Sequence, residues 1–170
     1  MRTAIDLARQ SGTIISLDGG AQRYDDDMRT ITESSHVVIV ARDYAEKYTG
    51  TTDLEAACRI IHDRGALIAG VTDGANGSYF VWPDGTAYRC QPFPQEHVVD
   101  TTGAGDSFHG AFLSKLAASI RQEDALHDEF IKPIDILQSL DHKQLESAAI
   151  FASAVSALNT QGIGGRSACQ

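Results

Sequence analysis

Two uninterrupted apolar runs constrain the fold of this chain more than any other feature. They are HVVIVA at residues 36–41 and ALIAGVT at residues 66–72. A strand with one face in water alternates apolar and polar residues, whereas a strand covered on both faces is apolar throughout, as in parallel sheets. Helical patterns separate the runs, and parallel strands need crossovers of this kind. We therefore predict an α/β layered fold with a mainly parallel sheet flanked by helices.

Weaker periodic patterns complete this outline. Helices are predicted at 3–11, from 42 to about 48, and at 53–64, 105–120 and 144–158, and further strands at 13–17, 78–82, 86–90 and 97–99. The apolar stripes predicted to face the core are Leu54, Ala57, Cys58 and Ile61, then Phe108, Phe112, Leu113, Leu116 and Ile120, and then Leu145, Ala148, Ala149, Ala152 and Val155. Such spacing places one side of each helix against the sheet.

The segments between these elements carry local signals. Pro83, Asp84 and Gly85 form a turn sequence, so the strands on either side are predicted to pair as an antiparallel hairpin. The three successive aspartates at 25–27 lack the ligand spacing of a calcium loop and are interpreted as a solvated turn or helix start. The polar segment 121–143 suggests no function.

Charge and composition narrow the classes of partner. The chain has 170 residues, with 14 Lys plus Arg against 23 Asp plus Glu, and a formal net charge of -9. Nucleic-acid affinity comes largely from clustered Lys and Arg, and the sequence has no such cluster. No apolar run approaches the roughly 20 residues that span a bilayer, and the first residues lack the apolar core of a secretory signal. We expect a cytoplasmic protein with a single domain over residues 1–170, without nucleic-acid or membrane partners.

Cysteines and histidines form no ligand or disulfide pattern. Cys58, Cys90 and Cys169 are odd in number and widely spaced, so they are interpreted as unpaired residues in a reducing compartment. The six histidines lack the spacing of a zinc site. His109 lies three residues after Asp106 on the same predicted helix face, and a packing or solvent-facing role is favoured for it.

The feature that bears most on chemistry is DTTGAGDSFHG at residues 100–110, between the predicted strand at 97–99 and an amphipathic helix. Gly103 and Gly105 allow the backbone to approach a ligand closely, and the unpaired N–H groups at the helix start can bind an anion. Asp106 would repel that anion, but it is well placed to accept a proton from a hydroxyl that attacks phosphorus. Alone, the turn is consistent either with this chemistry or with a purely structural role.

The segment DTTGAGDSFHGAFL closely resembles the C-terminal signature of the ribokinase-like, or PfkB, carbohydrate kinases. That family transfers a phosphoryl group from ATP, with Mg²⁺, to a sugar or nucleoside hydroxyl. The resemblance implies that Asp106 is the catalytic base. It also implies that the amides of Gly103, Ala104, Gly105 and Asp106 stabilise charge on the transferred group.

Other positions are similar to the family's nucleotide and cation sites. In VTDGANG, at residues 71–77, the resemblance makes Thr72, Gly74 and Gly77 candidates for ATP contacts, although a simple hairpin turn explains the glycines equally well. Asn159 and Gly162 become candidate neighbours of the nucleotide, with a helix C-cap as the alternative for Asn159. Asp100 and Thr102 occupy positions that hold a monovalent cation, K⁺, in some members.

The sequence departs from the family in two respects. Where many members have an Asn and, three residues later, a Glu that helps hold magnesium, this chain has Ala41 and Tyr44. The resemblance also covers only the C-terminal half of a complete member, so the N-terminal part and the β-lid that contact the sugar are missing. We expect a truncated, partial member whose sugar and oligomeric state cannot be inferred from the sequence.

Two functions are consistent with these observations. The first is an ATP-dependent carbohydrate kinase that acts on a small sugar, and the second is a non-catalytic nucleotide-binding remnant or regulatory fragment. A dinucleotide-binding Rossmann domain is excluded, because the glycines lie late in the chain and no GxGxxG follows a first strand.

Overall fold

The structure, a computed structural model, describes residues 2–20 and 24–165. The helices are α1 (Arg2–Gln10), α2 (Asp26–Thr32), α3 (Arg42–Thr49), α4 (Leu54–Asp63), α5 (Ala104–Asp124), α6 (Pro133–Ser139) and α7 (His142–Asn159). The strands are β1 (Ser16–Gly19), β2 (Val37–Ala41), β3 (Ile68–Thr72), β4 (Ser78–Val81) and β5 (Ala87–Cys90), and a 3-10 turn spans Gly74–Asn76.

The five strands form one sheet in chain order, β1-β2-β3-β4-β5. The pairs β1–β2 and β2–β3 are parallel, and the pairs β3–β4 and β4–β5 are antiparallel, so the sheet is mixed. The α/β layered fold and the predicted hairpin are confirmed. Because β1, β2 and β3 run the same way, their carboxyl ends meet at one edge of the sheet, where ligands bind in open α/β folds.

Alternate residues of the strands supply two cores, one on each face. On one face Val37, Ile39, Ile68 and Phe80 pack against α5, α6 and α7. On the other face Val38, Val40, Ala69 and Val71 pack against α3 and α4. The predicted α4 stripe is fully buried, and so are the α5 and α7 stripes except Leu113 and Val155, which are partly buried against the core.

One predicted strand boundary and one predicted strand are wrong. The first strand is β1, which begins three residues later than predicted. The predicted strand at 97–99 is irregular backbone, with Val98 and Val99 60% and 57% exposed. Pro92 and Pro94 precede it and lack the N–H that a ladder needs, and the Val99 N–H donates to the carbonyl of Thr160 instead.

The polar segment 121–143 contains the last turn of α5 and the whole of α6. The aspartate run is a helix start, as predicted, because the Asp25 side chain accepts a hydrogen bond from the Met28 amide at 2.8 Å and caps α2. Cys58 and Cys90 are buried free thiols, while Cys169 lies outside the described residues. Within residues 2–20 and 24–165, no helix is both long and apolar enough to cross a membrane.

Candidate active site

The start of α5 leaves backbone amides open at the carboxyl edge of the sheet. Gly103, with φ of +75°, is the N-cap, and its carbonyl accepts from the Ser107 amide at 2.9 Å. The Ala104 amide donates to the carbonyl of Thr101 at 3.1 Å, which closes a tight turn. Among the described residues, the amides of Gly105 and Asp106 have no backbone acceptor, so these two are the groups best placed to bind an anion.

Two clefts meet at this helix start. A polar cleft of about 730 Å³ is lined by Asp18, Ala41, Arg42, Asp43, Thr72, Asp73, Gly74, Thr101, Gly103, Gly105 and Asp106, among others. A more apolar cleft of about 450 Å³ is lined by Thr72, Gly74, Gly77, Pro92, Phe93, Val98, Ala104, Gly105, Phe108 and Ser156, among others. Both clefts are bordered by Thr72, Gly74, Thr101 and Gly105, so these four residues form the wall that the two clefts share.

The turn after β3 forms one side of the apolar cleft. The Asp73 amide donates to the carbonyl of Gly77 at 2.8 Å, and the Gly77 amide donates to the carbonyl of Gly74 at 3.1 Å. Gly77 has φ of +90°, and a Cβ there would collide with the carbonyl of Cys90. The glycine is therefore required by backbone geometry, whatever it contacts in the cleft.

The loop before α5 is held by the segment after α7. Asn159 is fully buried, and its side-chain amide donates to the carbonyl of Thr102 at 3.1 Å. The Asp100 carboxylate accepts hydrogen bonds from the amides of Thr102 at 2.8 Å and Gly164 at 3.0 Å. These bonds, above all the one from Thr102, hold the pKa of Asp100 below its ordinary value. Asn159 and Asp100 thus fix the loop, while Gly162 lies in the turn after α7 and lines neither cleft.

Sequence reasoning missed several polar residues of the polar cleft. Asp18 lies on β1, Arg42 and Asp43 follow β2, and Asp73 follows β3. Each is at the carboxyl end of a parallel strand, where ligands bind in open α/β folds. Polar residues at the ends of the predicted strands could therefore have indicated this cleft from the sequence. His109 lines neither cleft; its Nε2 lies 3.0 Å from the Ser16 hydroxyl, and burial lowers its pKa. Those contacts agree with the packing role expected for it.

Comparison with known proteins identifies the family. The family model described as pfkB family carbohydrate kinase matches residues 1–170. The chain belongs to this family. It is 33% identical over 89 residues to a cytidine kinase from Thermococcus kodakarensis, an alignment that covers 52% of this chain and 32% of that protein.

Solved structures of the family confirm the ribokinase-like fold. Ribokinase from Giardia lamblia has a TM-score of 0.76 and 18% identity, and the match covers 97% of this chain and 52% of that one. A fructokinase double mutant from Vibrio cholerae, bound to fructose, ADP and a potassium ion, has a TM-score of 0.70 and 20% identity, with 98% and 50% coverage. The chain therefore spans about half the length of these structures.

The two positions at which the chain departs from the family are now explained in part. Ala41 lines the polar cleft. Tyr44 is fully buried in the core that the sheet forms with α3 and α4. Its hydroxyl lies 2.6 Å from that of Thr32, and burial raises its pKa. Tyr44 is thus a core residue, and it cannot contact a cation in the cleft.

The polar cleft carries oxygen donors of the kind that bind Mg²⁺. Its carboxylates, Asp18, Asp43, Asp73 and Asp106, supply the oxygen ligands that Mg²⁺ prefers. Within the part of the chain that the structure describes, no three acidic, His or Cys side chains are grouped closely enough to hold an ion by themselves. The donor set therefore fits an Mg²⁺ ion that keeps waters and enters with phosphate ligands, and Asp43 is a carboxylate of the cleft that would hold it.

Proposed function

We propose that this chain carries the phosphoryl-transfer site of an ATP-dependent carbohydrate kinase. The observation that supports this most strongly is that Asp106 and the open Gly105 amide lie where a polar cleft meets an apolar one. In this proposal the apolar cleft takes the nucleoside of ATP, with Thr72, Gly74 and Gly77 beside its phosphates and Asn159 and Gly162 holding the surrounding loops. The polar cleft takes the acceptor hydroxyl.

The chemistry follows from these positions. The Asp106 carboxylate takes the proton of the acceptor hydroxyl as its oxygen attacks the γ-phosphorus, and the bond from that phosphorus to the ADP oxygen breaks. The amides of Gly105 and Asp106, together with the loop of Gly103 and Ala104, stabilise negative charge on the transferred group. Mg²⁺, held by Asp43 and the phosphates themselves, would neutralise part of the phosphate charge. The products are ADP, the phosphorylated acceptor and a proton that Asp106 returns to water.

Two further assignments belong to the same proposal. Asp100 and Thr102 are candidates for a K⁺ site, since they occupy the loop beside the anion-binding turn and a related fructokinase was solved with potassium. The acceptor is a small sugar or a nucleoside, since the relatives include a fructokinase and a cytidine kinase. We further propose that residues 1–170 act as one domain, in the cytoplasm.

The test separates catalysis from binding. Nucleotide affinity is measured by calorimetry with Mg-ATP, and turnover is measured as ADP release with a panel of sugars and nucleosides. D106N should lower kcat by at least about 100-fold, the usual contribution of a general base, while the Kd for ATP changes little. D27N makes the same chemical change on α2, outside both clefts, and should match wild type.

The outcomes distinguish the two candidate functions. If wild type binds ATP but releases no acceptor-dependent ADP with any compound of the panel, the chain is a nucleotide-binding protein without this chemistry. If D106N turns over as fast as wild type, the assignment of Asp106 as base is wrong.

A further inference from the structure

Arg42 is a cationic residue of the polar cleft. It is the first residue of α3, directly after β2, and it lines the cleft with Gly105 and Asp106. Its Nε donates to Glu46 at 3.0 Å, and its Nη1 donates to both carboxylate oxygens of Asp73, at 3.0 and 3.2 Å. The side chain is nevertheless 43% exposed, and none of its hydrogen bonds to described residues uses Nη2.

The carboxylates of the cleft give this guanidinium a specific task. Asp18, Asp43, Asp73 and Asp106 all line the cleft, and among the lining residues within 2–20 and 24–165 Arg42 is the one Lys or Arg. A polyphosphate entering there meets four negative side chains. Arg42 cancels the charge of Asp73 and adds N–H donors of fixed direction, since two carboxylates hold its orientation.

The same contacts couple Arg42 to the nucleotide turn. Asp73 Oδ2 also accepts from the side-chain amide of Asn76 at 3.1 Å, and Asp73 begins the turn that borders the apolar cleft. Arg42, Asp73 and Asn76 therefore form one hydrogen-bonded chain from the end of β2 to the wall shared by the two clefts. A displacement of Arg42 would alter the position of this turn.

We propose that Arg42 binds the terminal phosphates of the nucleotide through the Nη2 edge of its guanidinium, and that Asp73 orients it for this contact. The inference rests on the proposed function, because it requires ATP in the two clefts. It adds a phosphate-binding residue that neither the glycine-rich turn nor the resemblance indicated. It also gives a reason for the arginine beside Ala41, because its guanidinium reduces the repulsion between the four carboxylates of the cleft and a phosphate.

The competing explanation is that Arg42 only joins the ends of β2 and β3. Ligands with and without phosphates separate the two roles. Binding of Mg-ATP and of adenosine is measured by calorimetry and by saturation-transfer NMR for wild type, R42Q, R42K, D73N and R29Q. Arg29 is a matched control, because it pairs with Glu33 at i,i+4 as Arg42 pairs with Glu46, but lies on α2 outside both clefts.

R42Q should weaken ATP binding by about 10- to 100-fold, the usual effect of one charge-assisted hydrogen bond, and leave adenosine binding within about 3-fold. R42K should recover part of the loss, because a lysine restores the charge without the planar fork. The ATP affinity of D73N should lie between those of wild type and R42Q. R29Q should bind ATP as tightly as wild type does.

Three results would overturn the inference. Equal ATP affinity of R42Q and wild type would remove Arg42 from phosphate binding and leave the proposed function intact. Equal losses for ATP and adenosine in R42Q, with a lowered melting temperature, would make Arg42 a structural bridge. Failure of wild type to bind ATP at all would overturn the proposed function and this inference with it.

Discussion

The carboxylate of Asp100 accepts a hydrogen bond at 3.0 Å from the backbone amide of Gly164, 64 residues later in the chain. Its other oxygen accepts from the Thr102 amide two residues on. The loop that starts α5 is therefore fixed on the segment that follows α7, and this determines where the open amides of Gly105 and Asp106 point. The turn proposed to bind the phosphates therefore depends on tertiary contacts as much as on its own glycines.

The first prediction concerns acid stability. The hydrogen bonds from Thr102 and Gly164 lower the pKa of Asp100 from its ordinary value of 3.8. A lowered pKa in the folded state contributes stability above the ordinary pKa, and that contribution is lost as the pH falls through the folded value. Urea unfolding between about pH 2 and pH 6 should therefore show a smaller loss of stability on acidification in D100N than in wild type. An identical slope in the two proteins would contradict the role given to this carboxylate.

The second prediction concerns Asn159. N159A removes the hydrogen bond that the fully buried Asn159 side chain donates to the carbonyl of Thr102, and one such bond contributes about 0.5–1.5 kcal/mol. The free energy of urea unfolding should fall by that amount, and ATP affinity should fall as well because the loop loosens. Q161A deletes an exposed amide that pairs with Gln95 and should change stability by less than about 0.5 kcal/mol. Equal losses of stability in N159A and Q161A would argue against a role of Asn159 in fixing the loop before α5.

The layers of this fold were predictable because they follow from local patterns. The apolar runs of β2 and β3 and the apolar stripe of α4 each predict a surface that is covered by other elements. The structure buries all three. The strand predicted at 97–99 is wrong because its two adjacent valines are exposed and the Val99 amide donates to the carbonyl of Thr160 rather than to a neighbouring strand. Apolar character indicates a strand only where the backbone can complete a ladder.

The candidate site was predictable only where it lies within one continuous motif. The turn from Gly103 to Asp106 is such a motif, and the structure brings its residues to the junction of two clefts. The pair Arg42 and Asp73 is 31 residues apart and joins two neighbouring strands, so only the register of the sheet reveals it. Contacts of this kind are set by topology, and a linear pattern does not contain them.

The third prediction tests whether Tyr44 has any role toward a cation. Its hydroxyl lies against that of Thr32 in the core formed with α3 and α4. Y44F should cost about 1 kcal/mol, the net value of one hydrogen bond, whereas Y44E would bury a carboxylate and should cost several kcal/mol. Unfolding free energies measured in urea test this order. A Y44E protein as stable as wild type, with stronger Mg²⁺-dependent ATP binding, would place this side chain in the cleft after all.

The fourth prediction compares Gly103, the N-cap of α5, with Gly110, which lies inside that helix. Gly103 has φ of +75°, and a Cβ there would lie 2.6 Å from the Cα of Gly165, whereas a Cβ on Gly110 would meet open space. G103A should therefore lose about 1–2 kcal/mol of stability from backbone strain alone, with more from the collision. It should also weaken ATP binding, because the turn proposed to bind the phosphates would shift. G110A should gain up to about 1 kcal/mol, since alanine loses less conformational entropy in a helix. Urea unfolding and calorimetry check both, and a G103A protein that is as stable as G110A would show that the turn does not need the left-handed conformation.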